Sequence, residues 1–346
     1  MKHRTYPNTD VTVSEVGFGL WTTSTGWWGE KSDDDAVALL REAFDLGITL
    51  FDAADTYGNG RSEEQLAKAF GANRDRVVYA TKFGYDFYTP RNVEGRRGQV
   101  ELPHDFSPAF VRRALEESLR RLQTDYVDIY QMHNARMAQI DDDPLWKLLE
   151  TLKREGKIRM YGVALGPAIG WLYEGVDAIR KRNVASLQII WNALERYPGD
   201  EQIRAAYESG ADTGYMIRVP HSSGMLEGHY TEETVFPEGD HRRHRPRSWL
   251  VNGVKKVEQL RFLERPDRTL GQAAIAWLLR EPRVMSVLPN IYDREQLVEF
   301  AGAPEAPALG DDEAARMDAL YAANFGIEEP PMAFKGTMER SESLPV

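Results

Sequence analysis

Apolar and polar positions follow two alternating patterns along most of the chain. One pattern is a short apolar run rich in β-branched and aromatic residues, which is typical of a buried strand. The other has apolar residues at helical spacing; between residues 110 and 122, for example, Val111, Leu115 and Leu119 share one face. The predicted strands are residues 13–18, 48–51, 77–80, 126–131, 158–163, 186–191, 215–219 and 284–288. The predicted helices are residues 33–46, 62–70, 107–122, 144–155, 169–181, 200–209, 270–280 and 294–300.

Strand and helix succeed each other at intervals of roughly 30 residues, which is typical of βα units around a parallel sheet. Eight predicted strands favour the α/β class and, within it, a closed (β/α)8 TIM barrel. An open doubly wound sheet is the alternative, but no G-x-G-x-x-G sequence follows a predicted strand, so a dinucleotide-binding fingerprint is missing. No linker-like stretch divides the chain, and we therefore predict a single domain over residues 1–346.

Two long insertions interrupt the alternation of strands and helices. Residues 84–106 follow the third predicted strand, and residues 222–254 follow the seventh. Long loops in a compact domain are usually functional or disordered. At the other end, residues 326–346 show no periodicity, and we predict that they form a mobile C-terminal tail.

Composition narrows the class of protein. The 346 residues include 43 Lys and Arg against 54 Asp and Glu, a formal net charge of −11, which argues against a nucleic-acid binder because such proteins need a basic face. The absence of cysteine excludes a disulfide framework, a zinc–cysteine site and a thiolate nucleophile. No uncharged stretch reaches the ~20 residues of a membrane helix, and residues 1–10 lack a signal peptide's apolar region. We predict a cytoplasmic protein without a membrane or nucleic-acid partner.

Polar side chains follow three neighbouring predicted strands where those strands end. Asp52, Lys82 and His133 come at the ends of the second, third and fourth strands, and Tyr57 follows in the adjoining loop. Because the chemistry of a βα barrel lies at the carboxyl ends of its strands, we expect these four to converge on one pocket. Each has a purely structural interpretation taken alone: a capping aspartate, a packed loop tyrosine, a rim lysine and a core histidine. Because all four residues fall at the same end of adjacent strands, one shared site explains them better than four separate structural roles.

The combination of side chains suits proton transfer. Free tyrosine has a pKa of ~10, and a nearby ammonium group stabilises the phenolate form. An aspartate would keep the lysine charged and oriented, and a histidine would donate to a substrate oxygen. Metal chemistry is not predicted, since the histidines at 221, 229, 241 and 244 lack a regular ligand spacing.

The residues around these positions resemble the signature motifs of the aldo-keto reductase family. Residues 46–58 with Ser62-Glu63 resemble its main signature, Thr81-Lys82 and residues 125–133 match two further motifs, and residues 157–163 contribute a fourth. The resemblance covers roughly residues 10 to 325. Within the family, residues 224–226, 230–232 and 236–240 look most like the bacterial branch that includes the inositol-utilisation reductases.

The resemblance implies a barrel that binds a nicotinamide cofactor without a Rossmann fold and interconverts a carbonyl and an alcohol. By motif position Tyr57 would be the proton donor or acceptor and Lys82 its activator. Asp52 would pair with Lys82, and His133 would orient the carbonyl. The cofactor would supply the hydride.

The resemblance also implies a set of cofactor contacts. Gln188 matches the glutamine that holds the nicotinamide carboxamide, and Arg218 replaces an aromatic residue that stacks on the nicotinamide ring, a role that a guanidinium plane can share. Residues 219–224 match the segment along the pyrophosphate, and residues 290–296 match the adenosine end. The expected cofactor residues are Gly19, Trp21, Asp52, Gln188, Arg218, Val219, Pro220, His221, Ser223, Gly224, Asn290, Arg294 and Gln296.

Three departures from the family pattern concern the cofactor. Ala164 and Leu165 replace a Ser-Asn pair that binds the carboxamide, so two side-chain hydrogen bonds would be lost. The basic residue that usually meets the 2′-phosphate of NADP is missing after Pro289, and Phe300 replaces an asparagine that faces adenine. NADP is expected from family habit, and NAD is the alternative.

The substrate is the least determined part of the interpretation. The expected substrate residues are Trp21, Trp27, Tyr57, Tyr85 and His133, with Arg91, Arg96 and Arg97 in the same loop as Tyr85. Aromatic walls with arginines suit a sugar, polyol or glycoside carbonyl, and an aryl aldehyde fits nearly as well.

The sequence leaves the oligomeric state open, monomer or homo-oligomer, and two other functions are conceivable. Ala164 and Leu165 favour a cofactor-binding regulatory or sensor subunit with little turnover. A barrel glycosidase would need paired carboxylates, whereas only Asp52 falls convincingly at a strand end near the site.

Overall fold

Eight parallel strands form the centre of the molecule in a computed structural model that describes residues 1–89, 102–167 and 171–329. Arg91, Arg96 and Arg97, expected near the substrate, lie outside the described residues, as do residues 330–346 of the predicted tail. Each barrel strand pairs with the next one along the chain. Val16 bridges Val287 in parallel, and this bridge brings the first and last strands together. The predicted (β/α)8 barrel is confirmed. The strands are β1 (His3–Thr5), β2 (Thr12–Ser14), β3 (Phe18–Gly19), β4 (Leu50–Asp52), β5 (Val78–Phe83), β6 (Val127–His133), β7 (Ile158–Ala164), β8 (Ser186–Ile190), β9 (Gly214–Arg218) and β10 (Val284–Leu288).

Helices surround the barrel and connect its strands. Ser32 and Ser107 accept hydrogen bonds from backbone amides in the first turns of the helices Asp33–Asp45 and Pro108–Leu122, which explains where these two helices begin. The helices are α1 (Trp21–Ser24), α2 (Asp33–Asp45), α3 (Arg61–Phe70), α4 (Pro108–Leu122), α5 (Met137–Ile140), α6 (Asp143–Arg154), α7 (Leu172–Arg180), α8 (Gly199–Ser209), α9 (Arg247–Glu258), α10 (Leu270–Leu279), α11 (Arg294–Ala301) and α12 (Asp311–Ala322).

The barrel interior changes from apolar to polar along the strands. Successive residues of a strand face opposite sides, so residues two apart share the interior. The inner apolar cluster includes Leu50, Ala80, Ile129 and Met216. Two positions further along the same strands stand Asp52, Lys82, Gln131 and Arg218. The carboxyl end of the barrel is therefore polar, and this polarity gives the candidate site its place.

The opposite end of the barrel is closed by a hairpin, and this feature corrects the first predicted strand. Residues 12–14 pair antiparallel with β1 instead of joining the barrel. The Ser14 hydroxyl donates to the Val16 carbonyl oxygen at 2.6 Å and accepts from the Thr49 amide at 2.9 Å, so it competes with sheet pairing at this point. The barrel's own first strand, β3, consists of Phe18 and Gly19 alone.

Long segments follow the third and seventh barrel strands, as predicted, but the second is more ordered than expected. It contains 3₁₀ turns at Met225–Glu227 and His241–His244, and α9 begins at Arg247, inside the predicted loop. Helices α9 and α12 were not predicted. Of the described α12 side chains only Ala314 and Met317 are buried, which leaves little apolar stripe to recognise.

The start of the predicted tail packs against the end of α9. Lys256 pairs with Glu329 of the tail at 2.8 Å, and the Gln259 side-chain amide donates at 2.8 Å to the carbonyl oxygen of Phe325, the residue just before the tail. Over the described residues, no helix combines the length and apolar character required to cross a membrane.

Candidate active site

A buried ion pair stands at the carboxyl ends of β4 and β5. The Lys82 ammonium lies 2.6 Å from Asp52 Oδ2 and donates to the Ala53 carbonyl oxygen at 2.7 Å. The Gln131 amide donates to the other Asp52 oxygen at 3.1 Å. The Lys82 and Asp52 side chains are 1% and 5% exposed, so each charge depends on the other for its stabilisation.

Tyr57 and His133 face this ion pair. The Lys82 ammonium lies 4.7 Å from the centre of the Tyr57 ring, and the His133 ring meets that of Tyr57 edge-on at 5.8 Å between centres. Burial, followed by the charges of Lys82 and Arg218, lowers the pKa of His133 well below its ordinary value. At neutral pH His133 is therefore an uncharged imidazole, which can donate a hydrogen bond from one nitrogen. The structure thus brings together the four residues that the sequence predicted to converge, three at strand ends and Tyr57 in the adjoining loop.

An aromatic wall borders His133 on its other side. The Tyr85 ring meets the His133 ring at 5.0 Å, and the His104 ring lies 4.1 Å from that of Tyr85. The Asn134 amide donates to the Tyr85 hydroxyl at 2.7 Å. Tyr85, an expected substrate residue, therefore lies beside the tetrad formed by Asp52, Tyr57, Lys82 and His133. The neighbouring His104 was not predicted, because nothing in the sequence indicates that residue 104 returns to pair with residue 85.

The tryptophans after the first barrel strand lie under the segment that follows β9. Trp21 stacks on Trp27 at 6.4 Å, and the His241 ring meets Trp21 at 5.1 Å. The His241 amide donates to the Trp27 carbonyl oxygen at 3.1 Å. Gly19 pairs with Asp52 in the sheet and has open space where a side chain would be. Trp21 and Trp27 thus contribute to the cover of the barrel mouth.

The expected nicotinamide residues lie on β8 and β9. Gln188 is buried, and its amide contacts the Met216 sulfur at 3.0 Å. Arg218 donates from one terminal nitrogen to the Leu165 carbonyl oxygen, while its buried Nε has no hydrogen-bond partner among the described residues. Burial lowers the pKa of Arg218. Leu165 thus offers its backbone, and not its side chain, to this part of the site.

The expected pyrophosphate segment, residues 219–224, has an unusual backbone. Val219, Ser222 and Ser223 adopt positive φ angles of 54°, 48° and 57°, which is rare for a β-branched residue such as valine. Strained backbone of this kind is often found at ligand sites. The Tyr230 hydroxyl donates to the Ser223 carbonyl oxygen at 2.9 Å and accepts from Arg242 at 2.5 Å. The segment from Tyr230 to Arg242 therefore covers the loop.

Pro220 and His221 of this segment turn inward. His221 is fully buried, packs on the Phe300 ring at 4.4 Å and contacts the Gly271 carbonyl oxygen at 3.0 Å. Burial lowers the pKa of His221 to about 4. Both side chains are buried, so these two residues offer a cofactor their backbone.

The expected adenosine end surrounds the first turn of α11. The Asp293 side chain accepts a hydrogen bond from the backbone amide of Gln296 at 2.9 Å and caps the helix. Arg294 pairs with Glu42 at 2.7 Å, while Asn290 is half-buried. The Gln296 side chain donates to Glu227 at 3.0 Å. Arg294, an expected cofactor residue, is thus engaged with a carboxylate on α2.

Two further residues that contact the expected site were missed in the sequence. Gln131 precedes His133 by two positions on one strand, and that spacing could have identified it because alternate residues share a face. Glu227 lies far from α11 along the chain, and only the folded structure brings it to Gln296.

A buried charged cluster lies behind the loop that carries Tyr57. Arg121 pairs with Glu63 at 2.6 Å and donates to the Tyr88 hydroxyl at 3.1 Å; the Thr81 hydroxyl donates to Glu63 at 2.6 Å. Burial, and then the Glu63 charge, raises the pKa of Asp55. This network ties α3 and α4 to β5 and holds the loop between Asp52 and Tyr57 in place.

Within the described residues, no group of three or more His, Cys, Asp or Glu side chains is arranged to hold a metal ion.

Comparison with known proteins identifies the family. The model of the aldo/keto reductase family matches residues 15–322. The aldo-keto reductase yakc [NADP(+)] of Schizosaccharomyces pombe is 30% identical over 309 residues, covering 84% of each chain. The NADH-specific methylglyoxal reductase of Escherichia coli is 28% identical over 321 residues, covering 88% of this chain and 93% of that protein.

Solved structures show the same architecture. The holo form of the aldo-keto reductase AKR11C1 from Bacillus halodurans superposes with a TM-score of 0.71 at 29% identity, covering 92% of this chain and 96% of that one. The fold and the match thus define a barrel oxidoreductase. The chain belongs to the aldo/keto reductase family, and the family prediction made from its motifs is confirmed.

Proposed function

We propose that this protein interconverts a small carbonyl compound and its alcohol with a nicotinamide cofactor, and that Tyr57 is the proton donor and acceptor. The observation that carries the proposal is the position of the Tyr57 ring, between the Lys82 ammonium at 4.7 Å and the His133 ring at 5.8 Å. A phenol placed between a fixed cation and a neutral hydrogen-bond donor is suited to general acid–base catalysis at a carbonyl oxygen.

Lys82 acts on Tyr57 from a fixed position. Of its three N–H groups, two are used by Asp52 and the Ala53 carbonyl oxygen. One remains to stabilise the phenolate that Tyr57 becomes when its proton passes to the substrate oxygen. Asp52 and Gln131 keep the ammonium in place, so they act as positioning residues.

His133 orients the substrate. Its lowered pKa keeps the imidazole neutral, so it donates a hydrogen bond to the carbonyl oxygen without competing with Tyr57 as a proton source. The Tyr85 ring packs on it and leaves an aromatic wall that suits a small carbonyl compound with an apolar or sugar-like face.

The described residues offer a consistent cradle for the cofactor, which supplies the hydride when bound. Gln188 presents its amide near the barrel axis, Arg218 has an unused buried N–H, and residues 219–224 form a strained loop of the kind often found where a ligand approaches the backbone. Because Ala164 and Leu165 lack the Ser-Asn side chains, the nicotinamide carboxamide has fewer hydrogen-bond partners. The protein therefore holds the nicotinamide less tightly.

Cofactor oxidation with a panel of aldehydes, ketones and sugars tests the proposal. We expect turnover with at least one class of compound when NADH or NADPH is supplied, and loss of that turnover in Tyr57→Phe. Tyr207→Phe is the control and should keep its activity, because Tyr207 is exposed on α8. Binding of reduced cofactor without its oxidation by any compound, even in a single turnover, would instead support a regulatory subunit, the alternative that Ala164 and Leu165 favour.

A further inference from the structure

Two buried carboxyl groups and one arginine lie beneath the loop that carries Tyr57. The Asp55 and Glu63 side chains are fully buried, and the Arg121 side chain is 6% exposed. Arg121 Nε lies 2.6 Å from one Glu63 oxygen, and the other Glu63 oxygen accepts from the Thr81 hydroxyl at 2.6 Å. Both Glu63 oxygens therefore have a donor, and one of these donors is a cation. We call Asp55, Glu63 and Arg121 the shared-charge cluster.

Asp55 has fewer hydrogen-bond partners than Glu63. Its Oδ2 accepts from the Tyr88 hydroxyl at 3.4 Å, and its Oδ1 has no partner among the described residues. The Arg121 guanidinium donates to Glu63 and to the hydroxyls of Tyr88 and Ser118. A buried carboxylate that keeps its charge normally has a cation or several donors, and an unpaired buried charge costs far more than an unpaired buried hydroxyl. The geometry therefore favours the neutral form of Asp55.

The shared-charge cluster touches both sides of the proposed catalytic pair. Gly60, three residues after Tyr57, has a φ of +96°, and a Cβ built there would lie 2.5 Å from Arg121 Cδ. The loop thus rests directly on the Arg121 side chain. On the other side the Thr81 hydroxyl donates to the cluster, and Thr81 immediately precedes Lys82 on β5. The position of the Tyr57 ring relative to the Lys82 ammonium therefore depends on the cluster, and the catalytic meaning of this contact rests on the proposed function.

Titratable and charged groups on three other elements and one loop face Asp55: Glu63 on α3, Arg121 on α4, Tyr130 on β6 and Tyr88 after β5. Burial, followed by the Glu63 charge, raises the pKa of Asp55. Arg121, the Thr56 backbone amide and Tyr88 act in the lowering direction without cancelling that rise. Tyr88 and Tyr130 stay uncharged, because burial raises the pKa of each hydroxyl.

One positive charge thus stands between two buried carboxyl groups and pairs with only one of them. We infer that Asp55 is a neutral carboxylic acid in the folded protein and that, through Arg121 and Glu63, it is a positioning residue for Tyr57. An ionised Asp55 would compete with Glu63 for Arg121. Because the loop at Gly60 rests on Arg121, displacement of that side chain would move Tyr57 away from its place.

The pH dependence of stability follows from the proton on Asp55. The unfolded chain loses this proton at about pH 4, the ordinary carboxyl pKa, whereas the folded protein keeps it. The stability that this group contributes is complete below that pH and is lost as the pH rises through the raised pKa. Asp55→Asn keeps a neutral group of the same shape and needs no proton. Its unfolding equilibrium constant should therefore fall relative to that of the unmodified protein by up to about 10-fold for each pH unit above 5.

Urea unfolding between pH 5 and 8 tests the inference. We expect Asp55→Asn to raise the urea midpoint, increasingly as the pH rises. Glu63→Gln should lower the midpoint, because Arg121 loses its ion pair. In the Glu63→Gln background Asp55 can ionise and pair with Arg121 instead, so adding Asp55→Asn there should lower the midpoint further. The same substitution thus changes sign between the two backgrounds. Asp75→Asn is the matched control, because it removes an equal charge from an exposed residue.

Kinetic measurements test the effect on Tyr57 separately. Glu63→Gln should lower kcat on the order of 10-fold, because a small misplacement of a catalytic group is costly. The substrate KM and the cofactor Kd should change little, since the cluster lies behind the loop. Glu63→Asp keeps the charge and should recover most of the lost kcat, whereas adding Asp55→Asn to Glu63→Gln should lower kcat further.

Three results would overturn the inference. The first is a urea midpoint that Asp55→Asn lowers or leaves unchanged between pH 5 and 8. The second is additivity of the Asp55→Asn and Glu63→Gln effects on stability. The third is an unchanged kcat in a folded Glu63→Gln variant. If Glu63→Gln does not fold, the pH dependence of Asp55→Asn decides alone. The stability results require no turnover, so a protein that reduces no carbonyl compound would refute the proposed function and leave the protonation of Asp55 to be decided by unfolding.

Discussion

The Asp52–Lys82 pair gives the sharpest prediction about stability. Asp52→Asn keeps the shape of the side chain but leaves the Lys82 ammonium, 1% exposed, without its counter-charge. Breaking one partner of a buried pair typically costs about 3–5 kcal/mol. For 346 residues, an unfolding entropy of about 2.1 cal/mol/K per residue is about 0.7 kcal/mol/K, so the melting temperature should fall by about 4–7 °C.

A double variant separates the effect of the unpaired charge on stability from the effect of the changed side-chain shape. Asp52→Asn combined with Lys82→Met removes both charges, and it should recover most of the loss because no isolated charge stays buried. Urea unfolding of the unmodified protein, both single variants and the double variant measures the coupling between the two side chains. A single variant that loses less than about 1 kcal/mol, or a double variant that loses the sum of the singles, would refute the reasoning.

Three further predictions concern pH, substrate and cofactor release. Because the pKa of His133 lies well below its ordinary value, kcat/KM for carbonyl reduction should show no histidine-dependent loss as pH falls from 8 to 6; a limb near pH 6.5 that disappears in His133→Gln would contradict this. Tyr85→Phe removes the hydrogen bond from Asn134 and keeps the ring, so kcat/KM should fall about 3–10-fold, with a larger loss in Tyr85→Ala; equal losses would mean that the ring contact is irrelevant. Tyr230→Phe removes hydrogen bonds to Ser223 and Arg242 and should speed cofactor release about 5-fold in a stopped-flow chase. An unchanged release rate would mean that the segment from Tyr230 to Arg242 does not retain the cofactor.

The barrel and the tetrad were predictable for the same physical reason. Strand-forming runs that alternate with helices favour a parallel sheet, and a parallel sheet brings the carboxyl ends of adjacent strands to one edge. Asp52, Lys82 and His133 stand directly at such ends, so their proximity follows from the chain's periodicity. Tyr57 follows β4 by only five residues, which leaves it little freedom to lie elsewhere.

Features that depend on distant segments were not predictable in this way. Glu227 meets Gln296 across 69 positions, and His104 pairs with Tyr85, an earlier residue that no sequence pattern links to it; neither contact has a periodic signal. Arg294 was an expected cofactor residue by its position, but its partner Glu42 is on α2. The split of the first strand likewise depends on contacts of Ser14 with Thr49, a residue 35 positions away.

The central claim is that Tyr57 transfers the proton, and a single-turnover experiment with Tyr57→Phe tests it most directly. Enzyme loaded with reduced cofactor is mixed with the best carbonyl substrate, and oxidation of the bound cofactor is followed by absorbance. We predict a rate 10²–10⁴-fold lower than that of the unmodified protein, the usual contribution of a positioned acid, with an unchanged cofactor Kd. A rate within 10-fold of the unmodified protein would contradict the claim.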